Sequence, residues 1–236
     1  MLEAEALSDA AFPEFGKKTV LFCHVTSRVD GEKYDKLLTE KGGRGFPYLV
    51  YMDADGGVLG SPAGRTVAAF DEGLATAQAA KAKRADLEKR AASGDKNAAA
   101  ELLEDDLKSG RCDADAAKKR MAAMSGIDPA VKARLESRLL DAEVSTIVGK
   151  AKGPEDLPKI AEELKALKAA GRVPTGDSAQ TFWSVLFQAS LKAGDAKGAE
   201  EAIEGVRKLP EGQRRDQMLK MMEKQLDGLK NPKKDG

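Results

Sequence analysis

The sequence predicts an α+β protein, a small mixed α/β domain followed by an all-helical one. Three observations carry this. Runs of β-branched and apolar residues cluster before Leu74 and alternate with helix-like segments. After Leu74 the chain becomes rich in Ala, Lys, Glu and Leu and nearly loses its β-branched clusters. The apolar residues there recur at helical spacing. The expected organisation is a first domain over 1–75, a helical domain over 76–229 and a flexible tail over 230–236.

Taken in order, Met1 to Phe15 reads as a helix. Lys18 to Val25 (KTVLFCHV) reads as a strand. Asp30 to Lys41 places Tyr34, Leu37 and Leu38 at helical spacing. Tyr48 to Met52 (YLVYM) is a second strand. Asp53-Ala54-Asp55-Gly56-Gly57 is a turn signal, because Asp and Gly suit positive backbone angles, and Val58-Leu59 begins a short return strand. Beyond Leu74, Asp128-Pro129 caps and opens a helix running through Leu135, Leu139 and Ile147. Leu157, Ile160, Ala161, Leu164 and Leu167 form one stripe, and Met218, Met222, Leu226 and Leu229 another. Ser178 is placed to cap the helix of Phe182, Trp183, Leu186 and Phe187, three of whose aromatic rings are expected to anchor the helical core. Gly110, Gly171 and Gly194 stand where helices should end.

Bulk properties narrow the function classes. The chain has 236 residues, 42% hydrophobic and 33% charged, a composition that folds without staples. Basic and acidic residues number 39 each, so no global field attracts nucleic acid. Aromatics at 5% argue against a base-stacking surface. No apolar run reaches the ~18–20 residues of a membrane span. MLEAEALSDAAF has no basic start and no continuous apolar stretch, so it does not read as a signal peptide, and a cytoplasmic location is the default expectation. Cys23 and Cys112 are too few for a disulfide framework, and with His24 the single histidine no zinc set is available. No cofactor is expected.

The segment Gly42-Gly43-Arg44-Gly45-Phe46-Pro47-Tyr48-Leu49-Val50-Tyr51-Met52-Asp53-Ala54-Asp55-Gly56 resembles the cis-proline loop and following hairpin of thioredoxin-like proteins. The element order upstream resembles the family too, so the likeness covers about the first third of the chain. It implies a cis peptide before Pro47, with Tyr48 standing where the family usually has Thr. It also implies that Phe46, Pro47 and Tyr48 bind extended peptide backbone. The family's catalytic cysteine pair precedes the first helix, and no residue of this chain maps onto either cysteine. No catalytic residue is therefore assigned, and no dithiol oxidoreductase activity is expected. The resemblance further implies a sheet of about three strands with an exposed or rearranged edge, Val20–Val25 lying beside Tyr48–Met52. The expected function is protein or peptide binding by a redox-inactive thioredoxin-like domain. The alternative is an oxidoreductase whose cysteine or selenocysteine motif lies upstream of Met1, with a periplasmic or secreted location if a leader was lost there.

The remaining motifs divide between sharp and plain readings. Ser93-Gly94-Asp95 and Ala193-Gly194-Asp195 each open an Ala-rich helix and resemble the turn between paired helices of tetratricopeptide-type arrays. A repeat array and a plain bundle both remain open. Cys23 reads as a small buried hydrophobe or as a lone reactive thiol. His24 would point to the opposite face of the strand and not activate it. Cys112 lies in a polar loop. Asp53 and Asp55 lack the later ligands of a calcium loop, and Gly60 to Gly64 lacks the Lys and Ser/Thr of a phosphate loop. Lys81, Lys83 and Arg84, and Lys118, Lys119 and Arg120, read as solvated helix faces. Met218, Met221 and Met222 read as core packing or as an adaptable groove.

Overall fold

The computed structural model describes residues 2, 5–24, 34, 36–43, 45–151 and 153–231. Helices dominate. The elements in order are α1 (Phe12–Gly16), α2 (Leu37–Glu40), β1 (Tyr51–Met52), β2 (Val58–Gly60), α3 (Val67–Ala92), α4 (Lys96–Lys108), α5 (Ala114–Ala122), α6 (Pro129–Gly149), α7 (Leu157–Ala169), α8 (Ala179–Lys192), α9 (Ala196–Arg207) and α10 (Gln213–Lys230). Two compact units divide the chain, Met1–Val131 and Lys132–Gly236. The expected division at 75/76 does not coincide with them. It falls inside α3, whose N-terminal residues pack in the first core and which also packs along α4.

In the first unit, Thr66 caps α3 by accepting from the Ala69 amide at 3.2 Å. The first turn of α3 buries Val67 and Phe70 with Ala6 and Phe15, and Phe12, Leu49 and Tyr51 pack around them. Phe15 and Phe70 stand with centroids 5.6 Å apart. Tyr51 Oη donates to the Phe70 carbonyl at 2.7 Å. Gly73 is required there, because a Cβ would press on the Tyr51 ring and the Pro62 backbone. β1 and β2 pair antiparallel with an irregularity beside Met52. Their turn follows the Asp/Gly signal. Gly56 has φ +79°, and the Gly57 amide donates to Asp53 Oδ1 at 2.9 Å.

The strand expected from Lys18 is not formed over its described residues. Val20 is 92% exposed, and Leu21, Phe22 and Cys23 are exposed with it. β-propensity needs a neighbouring strand to pack against, and no described residue pairs with this run. Cys23 is therefore not a buried hydrophobe. The sheet has two strands among the described residues instead of three, and Tyr48–Met52 contributes only its last two residues. Of the expected Asp30–Lys41 helix, the described residues show α2, and 30–33 and 35 lie outside the described residues. The helix expected to Phe15 is reduced to α1, preceded by turns. A five-residue and a four-residue helix are far below the ~12–15 residues at which a helix holds by itself.

The two Gly-Asp turns share a geometry. Gly94 and Gly194 have φ +94° and +69°. The Asp95 amide donates to the Arg90 carbonyl at 3.0 Å and the Asp195 amide to the Ser190 carbonyl at 2.9 Å. Asp95 then accepts from the amides of Asn97 and Ala98, and Asp195 from that of Gly198. Each turn joins a pair of packed helices, α3 with α4 and α8 with α9.

In the second unit α8 supplies Phe182, Trp183, Leu186 and Phe187 to a core shared with Ile160, Ala161, Leu164 and Leu167 of α7, with Ala199, Ala202, Ile203 and Val206 of α9, and with Met218, Met222 and Leu226 of α10; Leu157 of the expected α7 stripe stays outside it. Met221 stays 52% exposed, because it lies off that stripe. Ser178 precedes α8 but makes no capping bond. Its amide and hydroxyl both donate to Asp141 Oδ1 of α6, at 3.0 and 2.6 Å. No helix of the described residues is long and apolar enough to cross a membrane.

Candidate functional site

The loop singled out by the sequence follows α2. The Gly42 amide donates to the Thr39 carbonyl at 3.0 Å and the Gly43 amide to the Leu38 carbonyl at 2.7 Å, with Gly42 at φ +82° closing the helix. Gly43 has no room for a Cβ, which would meet the side chains of Leu38 and Tyr48. The chain then crosses a cis Phe46–Pro47 peptide. Phe46 is 66% exposed and Pro47 is exposed, whereas Tyr48 is half-buried. Tyr48 Oη donates to the Lys41 carbonyl at 2.6 Å, and burial pushes its phenol above the ordinary value. Phe46, Pro47 and Tyr48 thus form a rim with an apolar ring outside and a tethered phenol inside.

Phe22 and His24 stack with centroids 6.3 Å apart and planes at 11°. That i, i+2 contact shows the alternation of an extended chain, although no ladder forms. Cys23 lies between them as an exposed free thiol. Cys112 is a second free thiol, half-buried at the α4–α5 corner. Burial and then the Asp106 carboxylate raise its pKa, which leaves it less nucleophilic at neutral pH.

A further cluster was not singled out by the sequence reading. Arg111, at the α4–α5 corner, is 8% exposed. Its guanidinium pairs with Asp53, reaches Asp55 at 3.3 Å and Asp105 at 3.7 Å, and donates to Ser109 Oγ at 2.6 Å. Arg84 of α3 meets Asp105 at 2.6 Å, Asp106 at 2.8 Å and Glu88 at 3.1 Å, and Arg120 meets Asp106 at 2.6 Å. Arg84 and Arg120 are therefore not merely solvated. A hydrogen bond shared with Asp53, and then the Arg111 guanidinium, bring the Asp55 carboxyl down to about 2. Asp53 and Asp55 do make the turn, and they also face arginine. Charge alternation within a helix would have flagged Arg84 with Glu88. The link from Asp53 to Arg111 spans 58 residues and leaves no local signal.

The second unit holds a cavity of about 80 Å³ between Lys165, Lys168, Trp183, Ser190, Asp195 and Glu201. Small-molecule pockets need ~300 Å³ or more. Among the described residues no group of His, Cys, Asp and Glu side chains is placed to hold a metal ion. No protein-family model matches the chain, and no curated protein or solved structure matches it at a significant level.

Proposed function

We propose that this is a thioredoxin-like domain protein without dithiol chemistry of its own, and that its N-terminal part binds extended peptide segments. One observation supports the binding role above the others. Of the eight exposed large hydrophobic side chains among the described residues, Leu7, Val20, Leu21, Phe22, Tyr34, Phe46 and Met52 lie in the first 52 positions, and only Met221 lies elsewhere. Soluble chains seldom leave such a concentration uncovered without a partner for it. Nearby, β1 is only two residues long, with Leu49 and Val50 before it outside any ladder, so backbone groups there are open to pairing. The expectation of no dithiol chemistry rests on the sequence. Cys23 and Cys112 are the two cysteines, and 88 intervening residues cannot form a Cys-x-x-Cys unit.

The test uses the full chain and a fluorescein-labelled, unstructured peptide of alternating Val and Thr. Saturable binding is expected, and Phe46→Ser should weaken it about tenfold, the loss typical of an aromatic anchor. Phe46 is exposed, so the substitution leaves the fold intact. No binding, or equal binding by Phe46→Ser, overturns the reading. Insulin reduction with dithiothreitol should show no acceleration by the chain, and acceleration would overturn its redox inactivity.

A further inference from the structure

Residues distant in sequence form one polar chain between the Tyr48 loop and the α4–α5 corner. Tyr48 Oη donates to the Lys41 carbonyl, and Lys41 Nζ donates to the Gly56 carbonyl, both at 2.6 Å. Gly56 and Gly57 are fixed on Asp53, the Gly57 amide donating to Asp53 Oδ1 at 2.9 Å. The Val58 amide donates to the Ser109 carbonyl at 3.0 Å, and Arg111 grips Asp53 and Asp55. We propose that Arg111 is a positioning residue, an ionic latch that fastens the Asp53–Gly57 turn to the α4–α5 corner and so fixes where Tyr48 stands.

The charge balance makes this a latch and not a passive contact. Arg84, Arg111 and Arg120 face Asp53, Asp55, Glu88, Asp105 and Asp106. Carboxylates therefore stand on both sides of the turn–α4 contact, and Arg111 is the cation between them. Without it, the turn and α4 repel each other. Asp53 is 11% exposed, so water does little to screen that repulsion. The geometry demands arginine. Its planar fork serves Asp53, Asp55, Asp105 and Ser109 together, whereas lysine would supply one point charge. The turn is shaped for that fork, because a Cβ on Gly57 would lie inside the guanidinium.

The binding consequence rests on the proposed function, but the latch does not. Hydrogen exchange of the full chain separates them. In Arg111→Gln the Gly57 and Val58 amides should exchange about tenfold faster or more and the Tyr48 ring resonances should move, while the Phe182–Phe187 amides of the second unit keep their rates. Arg111→Lys should recover part of the protection. Asp53→Asn with Arg111→Gln should exchange more slowly than Arg111→Gln alone, since it removes the repulsion, a rescue that loss of packing does not give. Gly57→Ala should open the same amides without touching a charge. Unchanged exchange in Arg111→Gln, or no rescue by the double variant, overturns the latch. Faster exchange at Gly57 and Val58 with unmoved Tyr48 ring resonances overturns the positioning of the loop. The Val/Thr peptide, titrated in parallel, judges the binding reading alone.

Discussion

Replacing Gly205 and Gly228 with alanine in turn tests the packing of α8 on α9. Each glycine is the third residue from the C-terminal end of its helix, α9 or α10. Helix propensity therefore favours alanine at both by a similar ~0.5–1 kcal/mol. Their surroundings differ. Gly228 is exposed, with nothing within 4 Å of a Cβ. At Gly205 a Cβ would come within 3.0 Å of the Trp183 indole. That ring is 8% exposed and packs edge-on to Phe182 at 5.2 Å, so it has little room to retreat. Overpacking of this kind costs about 1–3 kcal/mol. Gly228→Ala should raise stability by ~0.5–1 kcal/mol, and Gly205→Ala should fall below Gly228→Ala by about the full overpacking cost. Trp183 is the single tryptophan, so urea unfolding followed by its fluorescence reports on this unit directly. Equal stability of the two variants would refute the close contact of Gly205 with the indole.

Asp141 holds the chain before α8 by accepting from the Ser178 amide and hydroxyl and from the Asp177 amide at 3.3 Å. Asp141→Ala should cost ~1–3 kcal/mol by stranding those donors, measured by the same urea titration. Ser178→Ala should cost less, because it removes only the hydroxyl donor and leaves both amides on Asp141. In native protein at pH 8, iodoacetamide should label exposed Cys23 well before Cys112, whose thiol burial raises in pKa; mass spectrometry that finds Cys112 labelled first contradicts this. The depressed Asp55 carboxyl contributes stability that is fully present above the ordinary range near ~4 and is lost as pH falls through about 2. A carboxyl-carbon titration should place its midpoint near that value and move it upward in Arg111→Gln. A midpoint that does not move in Arg111→Gln contradicts the Arg111 contact.

Legibility in the sequence followed the range of the interactions. The helical stripes of α7 and α10, the Asp128 cap and the Gly-Asp turns are set by residues a few positions apart, and the structure places them as the periodicity implies. The Asp53–Gly57 turn is local in the same way. The Lys18–Val25 run misled because a β-branched sequence specifies a strand only when a neighbour completes the ladder. Ser178 misled because its backbone is already helical, at φ −86° and ψ −10°, and not in the extended conformation from which a capping oxygen accepts. Arg111 was invisible because its partners Asp53 and Asp55 come from a turn more than fifty residues earlier. Phe46, Pro47 and Tyr48 are singled out by resemblance alone, and the structure adds their exposure pattern.

In the proposed reading, the uncovered apolar side chains of the N-terminal part receive an extended segment. Amide chemical-shift mapping of the full chain with the unlabelled Val/Thr peptide tests it most directly. Shifts are expected to concentrate at Val20–Cys23 and Phe46–Val50, with α7–α10 unmoved. Shifts confined to α7–α10, or none at saturating peptide, would contradict it.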